Sequence, residues 1–480
     1  MNYGIVLRVI GIILIIEAAL MIPPYMIALY FKQGDEMAFL IAILITLFAG
    51  LLFAGRKKVL VKLRARDGFA IVTFAWILVS LFGSLPLYIS NSTDTFIDAF
   101  FETVSGFTTT GATILLKPEY LTRALLFWRS FTHWIGGMGI LVFTLALLPI
   151  LGISGFQIFK AEAPGPIAGK IVPRLKDTAM ILYITYFTMT IVKIILLILG
   201  GMTVFDAFVY TFASVGTGGF EITSQGINTY NSTYIYLIIG IFMVLSSINF
   251  SLYYSAVKGR FKDIFKDEEL RLFLTLLGAS VILISLNLIT NNYTSIGLAI
   301  RDAFFHVSSM ITTTGYSIGD VETWPSFSKG ILSILMIIGG SAGSTAGGIK
   351  VIRLLIALKL IKREVGILFH PRAVMPIKIN GKLMSNEKIA GIYSYLTLYV
   401  VTIGISTLLV SLEGVDLFSA AGAVISTLGN IGIEITGLRR SFADFSQITK
   451  LLLSFLMLLG RLELFTVIAL FAPRTWRKRA

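Results

Sequence analysis

The sequence predicts an all-α polytopic membrane protein. An N-terminal two-helix hairpin precedes four parallel helix–pore-loop–helix repeats around a pseudo-fourfold central pore. Three observations carry this prediction. Of the 480 residues, 56% are hydrophobic and only 14% are charged, against roughly 25% charged in soluble proteins, and the mean hydropathy is +0.86. Several apolar runs reach the ~20 residues that a helix needs to cross a bilayer. Finally, Asp98, Asp206, Asp302 and Asp416 each stand thirteen residues before a glycine (Gly111, Gly219, Gly315 and Gly429), with Phe100, Phe208, Phe304 and Phe418 two residues after the aspartate. One interval kept four times is an internal repeat.

The accessory unit, 1–56, contains two apolar runs, 3–31 and 37–55, joined by the polar turn Lys32-Gln33-Gly34-Asp35-Glu36. The first run is too long for a signal segment and is read as a retained helix. Pro23-Pro24 should kink it, because proline removes a backbone donor and clashes with the preceding turn. Glu17 lies mid-span and is expected to hydrogen-bond to the rest of the bundle, although an intramembrane acid is a functional candidate by default.

The four repeats occupy 69–151, 178–258, 270–360 and 388–472. Each opens with an outgoing span (about 69–91, 178–201, 270–290 and 388–411). A half-length segment follows, opened by the aspartate. About twelve residues at 1.5 Å each give roughly 18 Å, too short to cross ~30 Å of hydrocarbon. A glycine-bearing loop and a return span complete the unit (about 122–150, 232–257, 327–358 and 447–471). The count is ten full spans and four re-entrant half-helices. Two full spans per repeat give all four the same orientation, unlike the inverted repeats of many secondary transporters.

The half-helix suits a cation pore. An aspartate at its outer end can cap free N–H groups and complement the positive dipole end. The opposite end then points partial negative charge at the axis, and glycine lets the chain turn back with its carbonyls inward. Non-helical backbone at membrane depth must be buried or line a watery cavity. A ring of such carbonyls strips water from a cation. The candidate ion-binding groups are therefore Thr109, Thr110 and Gly111; Thr217, Gly218 and Gly219; Thr313, Thr314 and Gly315; and Thr427, Leu428 and Gly429. A lone Thr-Thr-Gly is an ordinary turn. Four in one register are what define a pore.

The third return segment, 327–358, would be roughly 48 Å long as one helix, more than the bilayer requires. Its middle, Gly339 to Gly348, contains five glycines, each costing a helix interior about 1 kcal/mol relative to alanine. A broken helix with a mobile intramembrane loop is expected. Its candidate gate residues are Gly339, Gly340, Gly343, Ser344, Thr345, Gly347 and Gly348. Close helix packing through small residues is the bland alternative. A phosphate-binding P-loop is excluded, because Ile349 intervenes before Lys350 and Val351 follows it. Arg461 lies inside the last return span, where an arginine is costly unless it is partnered. Glu463, two residues on, faces elsewhere on a helix, so carbonyls of the 339–348 loop are the better partners; snorkelling to the surface is the alternative. Lys350 and Arg353 are expected at the inner end of the broken helix, contacting a vestibule or a partner.

The net charge of +14 is distributed as a membrane protein distributes it and does not call for nucleic acid. Five segments (56–68, 152–178, 258–271, 359–388 and 474–480) hold 26 of the 40 Lys and Arg residues, while the opposite-side segments hold nine. The positive-inside rule places the basic loops and both termini in the cytoplasm, where anionic lipid contacts them. There is no cysteine, and the three histidines (His133, His306 and His370) are scattered. Without a cluster of intramembrane acids or a His/Asp site, the pattern is not that of an enzyme. A structural subunit would not need four aligned glycines.

Gly106-Phe107-Thr108-Thr109-Thr110-Gly111-Ala112-Thr113, the fourfold pattern and the stretch from Gly339 to Arg353 resemble the TrkH branch of the TrkH/KtrB/HKT superfamily of potassium transporters. The resemblance covers the whole chain, including the N-terminal hairpin. It implies potassium uptake into the cell, with potassium as the transported, filter-bound ion and no organic cofactor on this chain. It also implies a homodimer with one pore per subunit and a cytoplasmic TrkA-like nucleotide-binding regulatory ring. The 339–348 loop would be the gate, and Arg461 an electrostatic barrier beneath the filter. In plant relatives glycine in all four filters goes with potassium, which favours potassium here. The second and fourth loops are less channel-like, so a sodium-permeable or sodium-coupled carrier is the alternative on the same scaffold. The fourth loop continues Asn430-Ile431-Gly432-Ile433-Glu434, where the family often has proline-glycine. Glu434 would pair with Arg439 or Arg440, or concentrate cations at the outer mouth.

Overall fold

The computed structural model describes residues 1–55, 65–139, 175–291, 293, 295–433 and 441–472. The expectations for Glu434, Arg439 and Arg440, and much of the basic segments 56–68, 152–178 and 474–480, lie outside the described residues.

The hairpin is α1 (Tyr3–Leu20), α2 (Ile22–Phe31) and α3 (Glu36–Ala54). Asn2 caps α1 by accepting from Ile5 N. The first span breaks at Met21, so Pro23 and Pro24 fall in the first turn of α2, where a missing N–H costs no intrahelical bond. Gly11 and Gly50 let α1 and α3 touch through their backbones: a Cβ on Gly11 would stand 2.6 Å from the Gly50 oxygen. Glu17 departs from expectation. It is fully buried, and neither carboxyl oxygen has a hydrogen-bond partner among the described residues. Gly83 comes so close that a Cβ there would lie 2.9 Å from Glu17 Oε1.

The first repeat contains α4 (Ala65–Gly83), α5 (Leu85–Ile89), the half-helix α6 (Phe96–Phe107) and the return helix α7 (Arg123–Met138). The second contains α8 (Leu175–Leu199), the half-helix α9 (Val204–Val215), and α10 (Thr233–Ser246) followed by α11 (Phe250–Val257). A short α12 (Phe261–Lys266) leads to the third repeat: α13 (Glu268–Asn291), the half-helix α14 (Ile296–Ile311), α15 (Ser326–Ile338) and α16 (Val351–Phe369). A two-residue hairpin, β1 (Lys378–Ile379) with β2 (Lys382–Leu383), turns through Asn380-Gly381. Both turn residues have positive φ, as a tight hairpin turn requires. The fourth repeat contains α17 (Asn386–Ser411), the half-helix α18 (Leu417–Leu428), and α19 (Gln447–Leu462) followed by α20 (Leu464–Phe471).

By length and composition, six of the described helical stretches can cross a membrane, with α1–α2 and α4–α5 each counting as one. The return segments differ from the expected straight spans. Breakage was expected in the third only, yet α10/α11 bends by 93° and α19/α20 by 114°. In the first repeat, α7 ends at Met138 before Gly139 at φ 77°; the rest of that expected span, 140–150, lies outside the described residues. Local chemistry explains two of the breaks. Asn249 caps α11 by accepting from Ser251 N, and Glu463 takes φ 61° between α19 and α20. Beyond the third break, α16 runs on to Phe369, so part of the expected 359–388 loop is helical.

Packing closes the repeats into a ring. Each half-helix contacts its own return helix and that of the preceding repeat: α6 touches α7 and α19, α9 touches α10 and α7, α14 touches α15 and α10, and α18 touches α19 and α15. The contact of α6 with α19 joins the first repeat to the last.

Candidate ion pathway

The half-helices are 12, 12, 16 and 12 residues long. Their outer ends correct the sequence reading. Thr95 and Thr203, not the aspartates, cap α6 and α9, accepting from Asp98 N and Asp206 N. Those acids serve neighbours: Asp98 accepts from Lys450 Nζ at 2.6 Å, and Asp206 from the Tyr230 hydroxyl. Asp302 lies inside α14 and accepts from Tyr293 and Arg301. Asp416 alone of the four is an N-cap, accepting from Phe418 N and Ser419 N.

The inner ends share one geometry. After right-handed caps at Thr108, Gly216, Thr312 and Gly429, the chain enters the left-handed region at Thr109, Thr217, Thr313 and Asn430, with φ 55°, 58°, 55° and 54°. The next amide reaches back into the helix in every repeat: Thr110 N to Ser105 O, Gly218 N to Ala213 O, Thr314 N to Ser309 O and Ile431 N to Ser426 O. This is the bonding of a helix-terminating Schellman turn. Gly111, Gly219, Gly315 and Gly432 follow at φ 82°, 80°, 80° and 80°.

The fourth loop therefore sits three residues later than the thirteen-residue interval implies. Thr427 and Leu428 belong to the last turn of α18, Gly429 is its C-cap, and Gly432 occupies the place matching Gly111, Gly219 and Gly315. The physical reason lies at the outer end. The first two repeats use a threonine cap with aspartate three residues on, whereas the fourth uses Asp416 as the cap with Ser419 three residues on. Counting from the aspartate then starts three residues early.

These glycines close the ring through backbone contact. A Cβ on Gly111 would overlap the carbonyl oxygen of Gly218, on Gly219 that of Thr314, on Gly315 that of Ile431, and on Gly432 that of Thr110. The order runs around the four loops and returns to its start. Threonine at positive φ is strained, by about 1–3 kcal/mol per residue, and the surroundings make use of it. Thr313 Oγ1 accepts from Gly347 N at 2.6 Å, and Thr109 Oγ1 from Arg461 at 3.3 Å.

The loops differ in their backing. Thr108 hydrogen-bonds Thr110, and Thr312 bonds Thr314. Behind the second loop, the His133 imidazole fills the space a Cβ on Gly218 would need, and its Nδ1 donates to Gly106 O at 2.8 Å. In the fourth, Asn430 Nδ2 donates to Thr110 Oγ1 and Met457 O, both at 2.9 Å. The sequence reading names Asn430 and Gly432 in the fourth loop without giving them a role, and it misses a buried ion pair, Glu102–Arg129. Arg129 Nε donates to Glu102 at 2.9 Å, Glu102 accepts from Ile114 N, and the guanidinium lies 4.1 Å over the Phe220 ring. The pair ties the first loop to the second. Arg129 and Lys450, two of the nine basic residues that hydropathy assigns to the opposite-side segments, are both buried.

The glycine-rich stretch is a loop pinched at its neck. Ile349 N bonds Ile337 O, Lys350 N bonds Ile338 O, and Val351 N bonds Gly340 O. Its body lies against loops of the ring: Gly348 N donates to Gly429 O at 3.0 Å, beside the Gly347–Thr313 bond. The α10/α11 break holds it from another side, through Ser341 N to Ser247 O, Thr345 N to Ser246 O and Phe250 N to Gly343 O. Arg461 donates to Thr345 O at 2.9 Å, to Gly137 O at 3.0 Å and to Gly136 O. Next to it is a cavity of about 120 Å³ lined by Trp76, Gly137, Ser344, Lys350, Asn430 and Arg461 among others. Lys350 and Arg353 stand at the inner end of the break, and Lys350 lines this cavity. Both are buried: Lys350 Nζ donates to Ala346 O, and Arg353 pairs with Glu463 at 2.7 Å.

Four helix–loop–helix units closed around one axis, with re-entrant turns meeting at its centre, define a multi-pass membrane protein of the pore-loop class. The chain belongs to the TrkH family: the sequence model described as "Cation transport protein" matches residues 35–478. It is 37% identical over 483 residues to the Trk system potassium uptake protein TrkH of Escherichia coli (strain K12), covering 100% of both chains. It is 35% identical to TrkG of the same organism, covering 98% of both. The crystal structure of the potassium transporter TrkH from Vibrio parahaemolyticus aligns with a TM-score of 0.90 at 34% identity, over 99% of this chain and 100% of that one. These relatives are named as transporters, not as enzymes.

Proposed function

We propose that this chain takes up potassium across the cell membrane through the ring of four loops, which acts as the selectivity filter. The observation that carries the reading is the cyclic contact of Gly111, Gly219, Gly315 and Gly432 with the carbonyls of Gly218, Thr314, Ile431 and Thr110. Four identical turns aim partial negative charge at one axis, and the carbonyls replace the water of a cation. Potassium is thus substrate, held by the backbone of 109–111, 217–219, 313–315 and 430–432. The 339–348 loop and Arg461 form the gate beneath it. The loop blocks the path while it is bonded to Thr313 and Gly429, and Arg461 adds positive charge below the ring. Both termini and the basic loops face the cytoplasm, and the chain works as a homodimer under a TrkA-like nucleotide-binding ring that moves the gate.

The test is tracer potassium uptake into proteoliposomes, competed with rubidium, sodium and lithium, with and without Gly111→Ser. Competition by potassium and rubidium but not sodium is the expected result, and the variant, whose added Cβ would overlap the Gly218 carbonyl, should lose both uptake and that preference. Equal competition by sodium would favour the alternative carrier, which the unequal backing of the loops supports. If flux stays absent even when Arg461 is alanine or 339–348 is shortened, the transport reading fails.

A further inference from the structure

Glu269 stands in the first turn of α13, outside the ring and the gate. Its side chain is buried, and one oxygen, Oε1, accepts from two amides: Ala342 N at 2.7 Å and Ile352 N at 3.2 Å. Ala342 lies in the glycine-rich loop just past its neck, and Ile352 lies in the first turn of α16, just after it. A single carboxylate therefore closes the loop across its base. It also satisfies one of the orphan N–H groups at the start of α16, where negative charge complements the helix dipole. Two backbone N–H groups thus converge on one buried carboxyl oxygen, and both lose their acceptor if it is removed.

The residues beside it point the other way. Glu268 Oε1 accepts from Asn380 N at 3.1 Å, and Glu268 N donates to Asn380 Oδ1 at 2.9 Å. Asp267 accepts from Asn380 Nδ2 at 2.7 Å. Lys359, on α16, pairs with Glu268 and donates to Lys378 O at 2.7 Å. Lys378, Asn380, Gly381 and Lys382 of this hairpin are all exposed. Three consecutive acids thus hold an exposed hairpin on one side and the base of the intramembrane loop on the other.

We infer that Glu269 is a positioning residue for the gate: its carboxylate keeps the 339–350 loop seated and links that loop to the hairpin at Asn380. The inference rests on the gate reading proposed above. Glu269 touches no ion and acts through Ala342 and Ile352. Removing it frees both amides, so the loop unseats more often. Glutamine retains an oxygen acceptor and keeps much of the latch.

The chain has no cysteine, so one introduced thiol reports the loop cleanly. Ser344→Cys, at the wall of the cavity, is placed in wild-type, Glu269→Ala, Glu269→Gln and Arg461→Ala backgrounds. Two quantities are read in proteoliposomes without a partner: modification of the thiol by a water-soluble methanethiosulfonate, and rubidium tracer uptake. Glu269→Ala should raise both by ~10-fold, the change expected when a buried donor is left without its acceptor, and Glu269→Gln should raise them far less. Glu269→Ala that lowers thermal stability while leaving thiol modification unchanged would show a merely structural role and overturn the inference. If Arg461→Ala raises uptake and Glu269→Ala does not, the inference fails while the gate reading stands. If neither changes uptake or modification, both fall.

Discussion

Gly432→Ala and Gly429→Ala separate the ring seen in the structure from the ring implied by the aspartate interval. At Gly432, φ is 80°, which costs an L-residue about 1–2 kcal/mol. The larger effect is steric. A Cβ there would stand 2.6 Å from Ala112 N, and closer still to the Thr110 oxygen and Gly111 C. These are backbone atoms of the neighbouring loop and have no rotamer to yield. Restoring normal contact needs a shift of ~1 Å at the point where the fourth loop meets the first, a displacement that costs ~100-fold where geometry sets the rate. At Gly429, φ is −78°, open to any residue. The added methyl would meet the flexible tip of Ile431 at 2.8 Å and one backbone atom of its own helix, Ile425 O, at 2.8 Å, a smaller overlap than at Gly432 that a shift of a few tenths of an ångström relieves, and the matching caps Thr108 and Thr312 already carry side chains. The assay is potassium-limited growth of a host lacking its own uptake systems, with rubidium uptake normalised to protein in the membrane. Gly432→Ala should reduce uptake ~100-fold, and Gly429→Ala should stay within about threefold. Abolished uptake in Gly429→Ala with normal uptake in Gly432→Ala would refute the three-residue shift.

Other outcomes follow from the same contacts. Thr313→Val removes the acceptor for Gly347 N while preserving shape; leaving a buried donor unmade costs the seated loop about 1–3 kcal/mol, so partner-free rubidium flux should rise, and Thr313→Ser should restore it. Arg461→Ala removes the donor to Thr345 O and Gly137 O and should raise partner-free flux, read in the same vesicles. Arg129→Met leaves Glu102 buried without its cation, which should destabilise the chain by about 3–5 kcal/mol. Adding Glu102→Leu should recover most of the lost thermal stability, measured in detergent.

The repeat was legible because two physical limits show directly in sequence: twelve apolar residues cannot span a bilayer, and a chain that reverses at depth needs glycine. The fourth register was less legible because Thr95 with Asp98 and Asp416 with Ser419 are equivalent ways to begin a helix, and one motif cannot align both. The glycine-rich break was visible from composition. The bends after Ser246 and Leu462 were hidden within long, mainly apolar spans, where no proline stands and tertiary bonds decide the path. Asn249, a capping residue inside such a run, was the available signal for the first of these. Arg461 was recognised as needing carbonyl partners, and Thr345 O is one of them; Glu102–Arg129 depends on two segments meeting in space, which no local pattern reveals.

Carrying all four quadrants on one polypeptide has a consequence for what the pathway can contain. An assembly of four identical subunits must write each residue four times at one level. Four guanidiniums at the height of Arg461 would repel one another, and four copies of the 339–348 loop would compete for one space. Here a single arginine, a single glycine-rich loop, one histidine behind one turn and one asparagine where the others have threonine each appear once. A single chain can thus hold a near-fourfold ring while each quadrant differs from the others.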